Sequence, residues 1–248
     1  MSGLTSFALA LTAARALRNR TWAQTRVYIE PTTPIKIEEP TICIYVGHGR
    51  SEIETRELMS VSKMRVRFEM FLPSSVDTLT VGNHTAQFDV SKSVTAPFAI
   101  FWRQCEMALQ AGDDVWANLW RAFVLRMSSM DTTSDLFENE KGARIPARFI
   151  EITLDPLNEP RVGLPPDGAW VDLLAAMRAE GPELSAVADL IETQFVGDAL
   201  VSDWRADFTL LGLSPSMGAA LGLALDGDID NDPSAPAVVE VPADPDYS

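Results

Sequence analysis

The sequence predicts an α+β protein, sandwich-like in build, with a small mixed and mainly antiparallel sheet flanked by helices. Three patterns carry that reading. Met64, Val66, Phe68 and Met70 alternate with Arg65, Arg67 and Glu69, which is the two-residue period of a half-buried strand. Phe98, Phe101, Trp102, Cys105 and Leu109, then Trp116, Leu119, Trp120, Phe123 and Met127, fall on one face each of two successive helices. Ile150, Ile152 and Leu154 alternate with Glu151 and Thr153 to give a further strand after Pro146.

The remaining elements follow in chain order. Leu4, Phe7, Ala8, Leu11 and Ala14 define the apolar face of an opening helix that ends near Arg18. Residues 21–40 carry Pro31, Pro34 and Pro40, which exclude a long helix, so the segment is expected to be extended with a short edge strand at Arg26–Ile29. Thr41–Val46 is apolar on both parities, as in a strand covered on both faces, and is expected to end in a turn at Gly47, His48 and Gly49. The charged stretch Arg50–Lys63 reads as a loop or a short surface helix. Leu79–Val81 and Ala86–Val90 flank Gly82 and Asn83, whose tolerance of positive φ suits a hairpin turn.

Thr95 as N-cap and Pro97 in the first turn start the first central helix, and Gly112 stops it. Asp113 or Asp114 then caps the second. Ser128–Gly142 lacks an apolar period and is expected to be a mobile loop. Asp155 and Pro156 end the strand that follows it. Beyond Pro160 the Gly/Pro segment RVGLPPDG introduces helices at Trp170–Glu180, Glu183–Leu200, Asp203–Leu211 and Pro215–Leu225. The organisation expected is a core over 1–160, a helical extension over 161–225 and an acidic disordered tail over 226–248.

Charge separates these regions. The net charge of −15 is carried almost entirely by residues 166–248, with 2 Lys+Arg against 16 Asp+Glu, whereas residues 1–165 hold 18 against 19. An acidic surface repels phosphates, so sequence-specific nucleic-acid binding is not expected. Two cysteines are too few for a disulfide framework, and both stand in apolar settings where a free thiol acts as a small hydrophobe. The N-terminal stretch MSGLTSFALALTAAR lacks a basic leader and is too short to span a bilayer, so neither signal peptide nor membrane anchor is expected.

Candidate chemistry is sparse. Asp226, Asp228, Asp230 and Asp232 alternate like the start of a calcium loop, but the glycine and glutamate that complete the loop are missing. They are a weak candidate metal site beside the plainer reading of a solvated acidic tail. His48 and Arg50 stand at the end of a strand. The only other histidine is His84, and no partner at motif spacing makes a triad. No catalytic residue, metal site or cofactor is therefore assigned, and a small hydrolase using His48 is kept as the alternative from another class. GLSPSMGAALGLAL lacks the lysine and preceding strand of a phosphate loop. Two basic groups, Arg50, Arg56, Lys63, Arg65 and Arg67, then Lys141, Arg144 and Arg148, are the candidate interface residues, because arginine forks suit carboxylates on a neighbouring subunit.

A resemblance adds to these readings. The order of an opening helix with ALRNRTWA and RVY, the strands TICIYV and MRVRFEMF, the helix pattern WANLW at Trp116–Trp120, and above all GARIPARFIEITLDPLNEP at Gly142–Pro160 is similar to the tail-terminator proteins of long-tailed bacteriophages. The resemblance spans about Leu4–Pro160. It implies a non-enzymatic virion protein of the tail and neck, assembled in the host cytoplasm as a ring of six subunits. Such a ring caps the tail tube, stops its polymerisation and joins it to the head-completion or stopper protein. It leaves a channel through which genome DNA only passes. The implied partners are further copies of the chain, the tail-tube protein and the stopper, with no membrane. Another head-to-tail joining protein, a stopper or adaptor, is the neighbouring alternative.

Overall fold

A computed structural model describes residues 3–48, 63–73, 78–81, 84–88, 93–138, 144–160 and 165–196. Within them the elements run α1 (Gly3–Leu17), β1 (Val27–Ile29), β2 (Thr41–His48), β3 (Met64–Phe71), β4 (Thr78–Val81), β5 (His84–Gln87), α2 (Thr95–Glu106), α3 (Val115–Phe123), β6 (Val124–Glu138), β7 (Arg144–Pro156), α4 (Ala169–Glu180) and α5 (Pro182–Val196). Five strands form one sheet in the order β1-β2-β3-β7-β6, antiparallel throughout except for the parallel β1–β2 pair, and β4 and β5 make a separate antiparallel ribbon. The fold is α+β, with a mixed, mostly antiparallel sheet.

One face of the sheet builds the main core. Ile42, Ile44 and Val46 of β2, Met64, Val66, Phe68 and Met70 of β3, and Ile150, Ile152 and Leu154 of β7 meet α1, α2, α3 and α4 there. Phe68 lies against Trp102 and, edge to face, against Trp120 with ring centroids 6.3 Å apart. Such aromatic pairs add about 0.5–1.5 kcal/mol to the burial of their area. The helix α1 is more enclosed than its predicted single face implies: Ala8–Ala14, Ala16 and Leu17 are all buried. Small side chains on nearly every side let the helix lie between β2 and α3. Its first turn is capped from far along the chain, by Glu159 Oε1 accepting from the Leu4 and Thr5 amides at 2.8 and 2.9 Å. A carboxylate there satisfies orphan donors and complements the helix dipole.

Asp114 is the N-cap of α3, its carboxylate accepting from the amides of Trp116 and Ala117. The first central helix starts without a side-chain cap, so Thr95 does not play the role expected of it. It continues from Glu106 through a π turn, Met107–Ala111, and stops at Gly112. A side chain at Gly112 would meet the Ala108 carbonyl at 2.5 Å and the Arg20 guanidinium at 2.7 Å, which explains why glycine stands where the chain turns. The helices α4 and α5 belong to the same core: Trp170 packs edge to face on Phe123 and Phe195, and its indole donates to the Asn158 carbonyl at 2.9 Å. Arg178 ties them together by pairing with Asp189 and Glu192.

Three further expectations are corrected. Gly47 and His48 are not a turn; they extend β2, paired with Arg65 and Met64. Met127 does not continue the helical face of Phe123, because α3 ends there and the chain enters β6. Most important, Ser128–Glu138 is not a loop: it is the greater part of a 15-residue strand, paired with β7 as far as Glu138↔Arg144. The main-chain ladder to β7 organises this segment, and since it is exposed on both faces no burial imposes an alternation on its side chains. The predicted stretch Arg50–Lys63 apart from Lys63, the helices predicted at Asp203–Leu211 and Pro215–Leu225, and the acidic tail lie outside the described residues.

Candidate assembly surface

The two edges of the sheet are built differently. At the β1 edge, Arg26, Tyr28 and Glu30 face β2, as the bonds Ile42 N–H to the Arg26 carbonyl and Glu30 N–H to the Ile44 carbonyl require. Val27 therefore faces outward, and Arg18 Nη2 donates to its carbonyl at 3.2 Å. Glu30, at φ 39°, ends the strand ahead of Pro31, and its carboxylate accepts from the Val46 amide at 3.0 Å. That edge is three residues long and closed by side chains.

At the β6 edge the closure among the described residues is slight, one local bond from the Leu136 N–H to the Asp135 carboxylate at 2.7 Å. The orientation of each β6 residue follows from one bond, Leu72 N–H to the Pro146 carbonyl at 3.1 Å. In an antiparallel ladder alternate residues turn both polar groups to the same side. The even positions of β7 from Pro146 to Leu154 thus face β3, and the odd ones face β6. Through the register Asp131↔Glu151, Thr133↔Phe149, Asp135↔Ala147 and Phe137↔Ile145, those four β6 residues point their main chain inward. Met130, Thr132, Ser134 and Leu136 point theirs outward, away from the sheet. Two register shifts, between Val124 and Arg126 and between Met127 and Ser129, twist only the base of the strand. From Ser129 to Glu138 the edge is regular and open.

This edge is also apolar. Leu125 is 64 % exposed, Met130 54 %, Leu136 52 % and Phe137 42 %, and with Met127 they make five of the ten large apolar side chains exposed among the described residues. Phe137 continues a small second cluster on the face of the sheet that none of the described helices covers, with Phe71 at 5.9 Å and Phe149 at 6.0 Å between ring centroids. Cys43, Phe71, Ile145 and Ala147 are its buried members, with Ile35, Ile37, Tyr45 and Phe149 around them.

The predicted basic residues do not form one patch. Arg65 and Arg67 lie on this uncovered face, where Arg65 pairs with Glu151 at 3.5 Å, Arg67 with Glu69 at 2.9 Å, and the Arg67 guanidinium sits 4.5 Å from the Phe149 ring centroid. Burial pushes the Glu69 carboxyl up from its ordinary value, with Arg67 opposing. Arg148 is on the opposite face, its guanidinium over Phe98 at 5.1 Å. Lys63 and Arg144 are exposed near the starts of β3 and β7. Arg50, Arg56 and Lys141 fall outside the described residues, as do Asp226, Asp228, Asp230 and Asp232 and the side chain of His48.

Burial pushes the thiol of Cys43 up to about 12 and raises that of Cys105 as well, so both are inert packing groups at neutral pH. Among the described residues no cluster of His, Cys, Asp and Glu could hold a metal ion, and no helix is long and apolar enough to cross a membrane. A cleft of about 500 Å³ between the end of α1 and the π turn, lined by Asn19, Trp22, Gln24, Gln104, Met107 and Asp113 among others, was not foreseen from the sequence. It pairs no acid with a base at its centre, and Arg20 on its wall is held by Asp114 at 2.7 Å. The chain matches no described protein family and no curated protein sequence.

Proposed function

We propose that this chain is a structural ring protein, the tail terminator of a long-tailed bacteriophage. Six copies would cap the tail tube, stop its growth and present a surface to the head-completion or stopper protein while DNA passes through the middle. The observation that carries an assembly role is the β6 edge, a 15-residue strand with outward main-chain groups and exposed apolar side chains. Monomeric proteins usually blunt such edges with short strands, charge or cover, as the β1 edge of this molecule does. The motif order over Leu4–Pro160 supports the finer identity. In a closed ring each subunit presents two different patches to its neighbours, and the β6 edge is the surface this reading leaves for the tail tube or the stopper.

The test is the mass of the purified assembly together with tail length in particles lacking the protein. A ring of six and tubes of uncontrolled length are the expected results. A stable monomer with normal tails in its absence would sink the proposal. Tails of normal length that fail to join heads would favour the neighbouring role of a stopper or adaptor.

A further inference from the structure

We infer that β6 is a docking edge for an extended basic segment of another protein, which adds to the sheet as a sixth strand. Backbone pairing to Met130, Thr132, Ser134 and Leu136 would supply affinity, and side chains opposite β6 would supply selectivity. The charge on the strand defines that selectivity. Asp131 and Asp135 lie on the uncovered face, four residues apart, and neither makes an ion pair among the described residues, although Asp135 Oδ1 accepts from the Leu136 amide at 2.7 Å and leaves its second oxygen for a cation. Asp131 even stands directly opposite Glu151, whose own partner is Arg65 on the far side. Like charges opposite one another in a ladder are unfavourable, and a basic residue on the new strand relieves them.

Met130 and Leu136 face the other side of the sheet and are exposed. An incoming strand therefore has basic residues four apart opposite the two aspartates, each flanked on the outside by an apolar residue. The pattern apolar-basic-x-x-x-basic-apolar reads the same in both directions, so it fits the edge whichever way the partner runs.

A second copy of the chain does not meet this requirement. Two β6 strands paired with each other bring four aspartates together. The basic pairs at this spacing within strands, Lys63 with Arg67 and Arg144 with Arg148, belong to or adjoin β3 and β7, whose two edges are already paired inside the sheet. The chain's own residues 197–248 carry ten carboxylates and one arginine. The occupant is thus a different protein, and this conclusion stands whether or not the chain forms a ring.

The experiment uses the full-length protein and a short synthetic peptide with the core Val-Lys-Thr-Thr-Thr-Lys-Val, beside the same peptide with glutamates for lysines. Binding is read by fluorescence anisotropy, and hydrogen exchange follows the β6 amides. The lysine peptide is expected to bind at least about tenfold more tightly than the glutamate peptide and to slow exchange at Met130, Thr132, Ser134 and Leu136. The pair Asp131→Lys and Asp135→Lys is expected to reverse the preference with the fold intact. Thr132→Pro removes an outward donor and is expected to abolish binding of both peptides without lowering the melting temperature. Equal binding of the two peptides, no binding at all, or a β6-mediated dimer that excludes the lysine peptide and dissolves with Thr132→Pro would each overturn the inference.

Discussion

The β1 and β6 edges of one sheet face the same problem and answer it in opposite ways. A strand at an edge must leave half its main-chain groups unpaired by the sheet. At β1 the chain spends three residues, turns away at Glu30 and Pro31, and gives the Val27 carbonyl to Arg18. At β6 it spends 15 residues and, the Leu136 amide apart, leaves the outer row open, with apolar side chains on both sides of the row. The closed edge shows that this fold can protect a strand, and that contrast is what motivates the proposed docking at the open one.

Proline substitutions break the comparison most directly. Thr133→Pro removes an inward amide from the ladder to Phe149 and is expected to cost about 3 kcal/mol or more in urea denaturation. Thr132→Pro, one residue away, removes only an outward amide and should change stability by less than about 0.5 kcal/mol. Equal costs at the two positions would show that the strand is not oriented as described.

A smaller effect is expected at Glu159→Ala, which strips the cap from the Leu4 and Thr5 amides and should lower stability by about 1 kcal/mol. Both edges should weaken together, because α1 braces the sheet from beneath and carries Arg18 just past its end; a change confined to the first turn of α1 would contradict that.

The smallest effect concerns pH. Burial raises the folded-state pKa of Glu69 above its unfolded value, so the folded state holds that proton more tightly. This group's contribution is fully present below the unfolded pKa and is lost as pH rises through the folded one. Relative to wild type, Glu69→Gln should therefore flatten the fall in stability across that acidic window. A wild-type curve that rises there relative to the variant would mean that Arg67 outweighs burial.

Most of the scaffold was legible in the sequence because most of it is half buried. The alternation from Met64 to Phe71 and from Ile150 to Leu154, and the helical faces around Phe98, Phe101, Leu119 and Trp120, exist because one side of each element meets the core. The Asp114 cap and the stop at Gly112 were readable for equally local reasons. The strand β6 was not. Its residues from Leu125 to Glu138 are all exposed, so no periodicity records its pairing, and its serines and threonines look like loop chemistry. The available signal was indirect: five residues separate it from β7, and it contains Met130, Thr132, Thr133, Leu136 and Phe137, an excess of apolar and β-branched side chains for a loop. The basic residues were visible as residue types, yet only pairing showed that Arg67 and Arg148 lie on opposite faces.

The measurement that bears most directly on the open edge is residue-resolved amide hydrogen exchange along β6 in the isolated protein. Slow exchange at Asp131, Thr133, Asp135 and Phe137, alternating with fast exchange at Met130, Thr132, Ser134 and Leu136, is the predicted result. Uniformly fast exchange from Ser129 to Phe137 would contradict the account, returning the segment to a loop, and uniformly slow exchange would contradict it by showing the edge already covered.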